Sequence, residues 1–162
     1  MRIAILSDTH DHIENLERVI SKIKEEGCEA IIFCGDFSSP LTARKLKQTN
    51  LPIYAVFGNT DGAIQEIVEM EDDKFKVFKI FGEFELDNKK IAICHYPQIA
   101  EGLAATGKYD IVFHGHTHSA RKEKIGDTII VNPGEVAGLI NKPTFAIFDT
   151  ETNNVEIINI GE

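Results

Sequence analysis

The sequence predicts an α/β fold in which two mixed β-sheets pack face to face with helices on their outer faces. Three observations point there. Short runs that are apolar on both faces, at Arg2 to Ser7, Ala30 to Cys34 and Ile53 to Phe57, alternate with amphipathic helical segments, the pattern of parallel strands with helical crossovers. From Phe75 onward strand-like runs follow one another, joined by turn signals and one brief helical stretch. The 162 residues, 43% of them hydrophobic, are enough for one domain with a sizeable core. Repeats, low-complexity segments and linkers are absent from the sequence, so residues 1–162 are read as a single domain.

Taken in order, Arg2 to Ser7 reads as a central strand ending in Ser7-Asp8-Thr9-His10-Asp11-His12. Ile13, Leu16, Val19, Ile20 and Ile23 then recur at helical spacing. Asp11 is placed to cap that helix, with Glu14 three residues on as in a capping box, and Gly27 stops it. Ala30 to Cys34 is a second buried strand, closed by Gly35-Asp36. Ser39-Pro40 reads as an N-cap with proline at the first helical position of a helix reaching Gln48. Ile53 to Phe57 is a third buried strand, followed by Gly58-Asn59-Thr60-Asp61 and a helix over 63–70.

Phe75 to Ile80, Glu83 to Leu86 and Lys90 to Cys94 read as strands, the last two joined at Asp87-Asn88. A brief helix over 99–105 leads to a strand over 109–113 and then to His114-Gly115-His116-Thr117-His118. Lys122 to Ile125 and Thr128 to Asn132 form a hairpin around Gly126-Asp127, and Asn132-Pro133-Gly134 reads as a structural turn. Phe145 to Phe148 and Val155 to Ile160 make the last hairpin.

Charge narrows the function. With 26 acidic against 17 basic residues and a net charge of -9, the chain lacks the basic balance of a nucleic-acid or membrane-surface binder. A small phosphorylated substrate stays open, because bound cations invert local charge. No apolar run approaches the roughly 18–20 residues of a membrane span, and the apolar N-terminal stretch is too short for a signal peptide. The three cysteines, Cys28, Cys34 and Cys94, are odd in number and form no C-x-x-C pair, which fits reduced thiols in the cytoplasm.

Side chains able to hold metal recur at the strand ends. Asp8 and His10 follow the first strand, Asp36 the second and Asn59 the third. His95 ends a later strand, and His116 and His118, two residues apart, follow another. Ligands of open α/β sheets gather at the carboxyl ends of strands. This mixture of carboxylate, amide and imidazole suits Mn2+, Fe2+, Ni2+ or Zn2+ better than an all-oxygen calcium site, and it is large enough for two ions. Gly35, Gly58 and Gly115 each stand directly before a candidate ligand, where they permit tight turns.

Asp8-x-His10, Gly35-Asp36, Gly58-Asn59-x-Asp61, His95 and Gly115-His116-x-His118 resemble, in order, the motif set of calcineurin-like metallophosphoesterases. The short chain is similar to the small phosphodiesterases of the YfcE type within that family. The resemblance implies a four-layer α/β/β/α sandwich. It implies that Asp8, His10, Asp36 and His118 hold one metal, Mn2+ first among the candidates, and that Asp36 bridges to a second held by Asn59, His95 and His116. It further implies hydrolysis of a small phosphodiester by a hydroxide bridging the two ions. Asn59 would also orient the phosphate, and Asp61 would fix a neighbour's orientation.

The alternatives are a phosphomonoesterase and a catalytically silent protein-binding scaffold, as in the retromer subunit that shares this fold; a homo-oligomer is compatible with either. Two positions depart from the wider family. Thr60 stands where many members carry a histidine general acid, and Tyr96-Pro97 follows His95 where a glycine is usual. His12 and His114 lie outside the motifs, and Cys34 and Cys94 read as core thiols.

Overall fold

Strands apolar on both faces must be covered on both sides, and this requirement sets the layering. The structure is a computed structural model and describes residues 1–161. The strands and helices in chain order are β1 (Arg2–Leu6), α1 (Ile13–Glu25), β2 (Ala30–Phe33), α2 (Pro40–Lys47), β3 (Ile53–Val56), α3 (Ile64–Val68) and β4 (Phe75–Phe78). They continue with β5 (Phe81–Leu86), β6 (Lys89–Cys94), α4 (Pro97–Ala105), β7 (Ile111–Phe113), β8 (Arg121–Ile125), β9 (Thr128–Asn132), β10 (Thr144–Asp149) and β11 (Asn154–Asn159).

One sheet has the order β11-β10-β1-β2-β3-β4, with β1 to β4 parallel and β10 and β11 antiparallel at one side. The other has the order β5-β6-β7-β9-β8, with a parallel centre of β6, β7 and β9 between antiparallel edges.

The period-2 alternation of β1 separates two cores. Ala4 and Leu6 face Leu16, Val19 and Ile23 of α1, in a cluster that also holds Ala43 and Leu46 of α2 and Ile67 of α3. Ile3 and Ile5 face the second sheet, where Ile91, Ile93, Ile111, Phe113 and Val131 meet Ala146 and Phe148. Ala92, Cys94, Val112 and Ile130 point the other way and are covered by Ala100 and Ala104 of α4. The result is helices, sheet, sheet and helix, the four layers that the resemblance implies.

Two local expectations change. The run read as a strand from Phe75 to Ile80 ends at Phe78, and it pairs in parallel with β3 to complete the first sheet. It is anchored by Phe75, which is fully buried, and the chain crosses between sheets at Lys79-Ile80. The cap of α1 is His12, whose Nδ1 accepts from the Asn15 N–H at 3.3 Å. Asp11 instead accepts from the Thr42 hydroxyl at 3.0 Å and ties the turn to α2. Ser39 and Pro40 open α2 as the sequence predicts.

Phe113 of the second sheet and Phe148 of the first meet edge to face, with ring centroids 5.8 Å apart, in the core between the sheets. Phe113→Ala is expected to cost about 3–5 kcal/mol, the usual range for emptying a buried aromatic position. Urea unfolding should show a lower midpoint at an unchanged m-value. A loss under about 1 kcal/mol would mean that this contact does not join the sheets.

Candidate metal centre

The parallel strands β1, β2, β3, β6 and β7 all deliver their candidate residues to one end of the sandwich, at the seam between the sheets. Asp8, His10, Asp36 and His118 each offer a ligand atom within 4.8 Å of the others. His10 Nε2 lies 3.3 Å from His118 Nε2, 3.8 Å from Asp8 Oδ1 and 3.6 Å from Asp36 Oδ2. A second group adjoins the first. Asn59 Oδ1 lies 3.0 Å from His95 Nε2 and 2.8 Å from His116 Nδ1, and Asp36 Oδ2 lies 3.5 Å from His95 Nε2. Asp36 Oδ2 is therefore within 4 Å of imidazoles from both groups.

Backbone geometry aims these side chains. Asp8, His10, Asp36, His116 and His118 all have positive φ, between 45° and 71°, a region that Asp and His enter more readily than most residues. Gly58 and Gly115 are required for space. A Cβ at Gly58 would sit 2.2 Å from Asp36 Oδ1, and one at Gly115 would sit 1.9 Å from Ser7 Oγ and 2.6 Å from Asp8 Oδ2.

Hydrogen bonds set the orientation. Asp8 Oδ2 accepts from the Ser7 hydroxyl at 2.6 Å and the His116 N–H at 3.0 Å. Its Oδ1 is buried without a partner and faces His118 Nε2 at 3.3 Å. A buried carboxylate oxygen left unpaired costs at least about 1–3 kcal/mol. A cation among these imidazole nitrogens would remove that cost, so the donor set fits a divalent metal. Asp61, away from this cluster, accepts from the backbone N–H groups of Gly58, Ser38 and Asp36 at 2.7, 2.9 and 3.2 Å and so locks the Asp36 and Asn59 turns together.

The titrations of the two central carboxylates diverge. Burial pushes Asp8 up despite the Ser7 hydroxyl and the nearby His95 and His118. Burial would also raise Asp36, but His95 and the Thr60 N–H outweigh it and hold Asp36 at about 2. Burial opposes the charged form of His95, yet Asp36 and the Cys34 carbonyl raise its pKa overall. Its Nδ1 donates to that carbonyl at 2.7 Å, so Nε2 is the nitrogen turned to the site.

Residues outside the motifs complete the surroundings. Tyr96 stands edge-on to both His95 and His116, with centroids 5.1 and 4.9 Å away. Pro97 takes the first position of α4, so Tyr96-Pro97 starts a helix directly after His95. Thr60 Oγ1 and Ser38 Oγ lie 3.4 and 3.5 Å from His10 Nδ1. His114 is buried, is lowered in pKa by that burial, and bonds the Gly115 carbonyl rather than joining the cluster. Cys34 and Cys94 are free, buried thiols, raised well above the usual range and to about 12 respectively by burial. Glu135 is a residue the motifs miss: fully buried, it approaches His118 Nδ1 at 2.9 Å. Its signal in the sequence is only a carboxylate directly after Asn132-Pro133-Gly134.

Comparison with known proteins agrees with this arrangement. The calcineurin-like phosphoesterase superfamily domain matches residues 1–153. The phosphodiesterase MJ0936 of Methanocaldococcus jannaschii is 36% identical over 156 residues, covering 93% of this chain and 94% of its own. A solved archaeal phosphodiesterase superposes with a TM-score of 0.89 at 33% identity, over 98% of this chain and 99% of that one. YfcE, a phosphoesterase from E. coli, shares the fold at a TM-score of 0.72 and 18% identity, over 99% of this chain and all of that one. Fold and site together define a metal-dependent phosphoester hydrolase. The chain belongs to the calcineurin-like phosphoesterase superfamily.

Asp8 has its pKa raised on folding, so its contribution to the stability of metal-free protein is present below 3.8 and lost as pH rises through the folded value. Asp8→Asn is therefore expected to melt no lower than the wild type near pH 7 without metal. The amide oxygen can keep the Ser7 and His116 bonds while its NH₂ donates to the imidazoles. The advantage should disappear below pH 3.8. A sharp drop in melting temperature at neutral pH would show that the ionised carboxylate stabilises the metal-free fold. Asp36 has the opposite sign: its contribution is present above 3.8 and lost as pH falls toward about 2.

Proposed function

We propose that residues 1–162 form one catalytic domain, a dinuclear metal-dependent phosphodiesterase acting on a small phosphodiester. The observation that carries this reading is the position of Asp36 Oδ2, shared between the Asp8–His10–His118 group and the Asn59–His95–His116 group. A shared carboxylate is what two mutually repelling cations need. Asp8, His10, Asp36 and His118 would hold one ion, and Asp36, Asn59, His95 and His116 the other. Mn2+ is the first choice and Ni2+, Fe2+ or Zn2+ the others. Bound there, the ions supply Lewis acidity toward the phosphoryl oxygens and acidify the attacking water.

The protein's own part is placement. Asn59 presents an amide at the mouth of the site that can orient a phosphoryl oxygen. Asp61 holds the Asp36 and Asn59 turns in register through three backbone N–H groups. The unpartnered Asp8 Oδ1 favours this enzyme over a silent scaffold, which has no use for a buried unpaired carboxylate oxygen. The relatives named as phosphodiesterases favour a diester over a monoester. Free, buried cysteines support a reducing, cytoplasmic setting.

Titration with Mn2+ should reach two ions per chain, and chelation should abolish hydrolysis of an aryl phosphodiester. Asp36→Ala is expected to lose at least about 10³-fold in turnover while remaining folded, because it touches both groups. Full activity of that variant under saturating metal would remove Asp36 from the centre.

Thr60 generates a further expectation. Its hydroxyl is far too weak an acid to replace an imidazolium, so a contribution of roughly 10²–10⁴-fold from general acid catalysis is missing. Rates across diesters of graded leaving-group pKa should therefore fall steeply as the leaving group becomes more basic, and Thr60→His should flatten the slope. A flat profile in the wild type, with chemistry rate-limiting, would reveal another acid.

A further inference from the structure

Glu135 is a fully buried carboxylate to which the motifs assign no role. Four hydrogen-bonding groups converge on it. Oε2 accepts from the Leu139 N–H at 2.8 Å and meets His118 Nδ1 at 2.9 Å. Oε1 accepts from the N–H groups of Ile140 and Asn141 at 2.7 and 2.5 Å. A carboxylate holding three amide N–H groups is an acceptor on every side, so the imidazole must donate from Nδ1. That leaves the lone pair on Nε2, the nitrogen 3.3 Å from the unpartnered Asp8 Oδ1.

The frame around Glu135 is also tied to the site. The Val136 and Ala137 N–H groups donate to the carbonyls of Ser7 and Asp8 at 3.0 and 3.1 Å. Asn141 Nδ2 donates to the His118 carbonyl at 2.9 Å. The 139–141 segment, which exposes Leu139 and Ile140 to solvent, thus hangs on the same carboxylate that orients a candidate ligand.

We propose that Glu135 is a positioning residue that fixes the Nδ1–H tautomer of His118 for metal binding and couples the metal centre to the 139–141 loop. The proposal rests on the metal-centre reading above. The loop and His118 share one carboxylate. When Nε2 is drawn onto a cation, the Nδ1–H becomes a stronger donor to Glu135, and the carboxylate is held more firmly beneath the loop amides. By linkage, disturbing the loop must weaken metal binding to the same extent.

Three measurements on the full chain test this. In metal-free wild type at about pH 8, where a free histidine is neutral, imidazole ¹⁵N shifts should show the His118 proton on Nδ1. Hydrogen exchange read by mass spectrometry should slow across residues 139–141 when Mn2+ is saturating. In Glu135→Gln, calorimetry should give Mn2+ affinity weaker by about 10–100-fold, the effect of losing a carboxylate behind a ligating histidine. A purely loop-capping glutamate would change loop exchange in the variant and leave tautomer and affinity alone. Should Glu135→Gln fail to fold, the two wild-type measurements decide. A proton on Nε2, or exchange at 139–141 indifferent to Mn2+, overturns the proposal. Normal wild-type binding with undiminished affinity in Glu135→Gln overturns the role of Glu135 alone, whereas a wild type that binds no Mn2+ overturns the metal-centre reading with it.

Discussion

Two carboxylates, Asp8 and Asp36, are buried side by side at the ends of adjacent parallel strands, and much of the molecule answers that fact. Two such charges in a poorly solvated site repel and are stripped of water. The fold sets imidazoles from the opposite sheet against them. His118 faces Asp8, and His95 faces Asp36. The compensation is unequal, since Asp36 is held at about 2 while Asp8 is pushed up with one oxygen unpartnered. A site that is electrostatically incomplete without a cation has affinity for one built into its folding.

The sandwich explains why those imidazoles are available. Strand faces alternate between a helix-covered core and the core between the sheets, so both sheets are held in one register by residues such as Phe113 and Phe148. Because β1 to β3 and β6 to β7 end at the same seam, short turns suffice to bring Asp8, Asp36 and Asn59 against His95, His116 and His118. The crowding is severe enough that Gly58 and Gly115 leave no room for a methyl group. The same crowding puts five of the candidate ligands into left-handed backbone.

Tyr96-Pro97 and Thr60, beside the candidate ligands, have local structural roles. Tyr96-Pro97 supplies an extended residue and a proline that opens α4, and the tyrosine ring packs against His95 and His116. Thr60 replaces a potential acid with a small hydroxyl, but its backbone N–H still serves Asp36 at 2.9 Å. Position 60 thus keeps its part in orienting the carboxylate whatever its side chain contributes to chemistry.

The sequence by itself determined the strand and helix order, the two-sheet architecture and the set of candidate ligands. Those features are written locally, in periodicity, in Gly-Asp and Gly-Asn turns and in the spacing of His116 and His118. It left open which sheet the run from Phe75 joins, because a short apolar strand carries no mark of its partner. It chose Asp11 over His12 as the α1 cap, because Thr42, the competing partner for Asp11, comes from another helix. Only the tertiary structure decided the orientation of the site. The partnering of Asp8 Oδ2 by the His116 N–H spans 108 residues, and the approach of Glu135 to His118 depends on how the chain returns after β9. Contacts made across sheets have no local signature, so the residues that surround the candidate ligands appeared only once both sheets were packed.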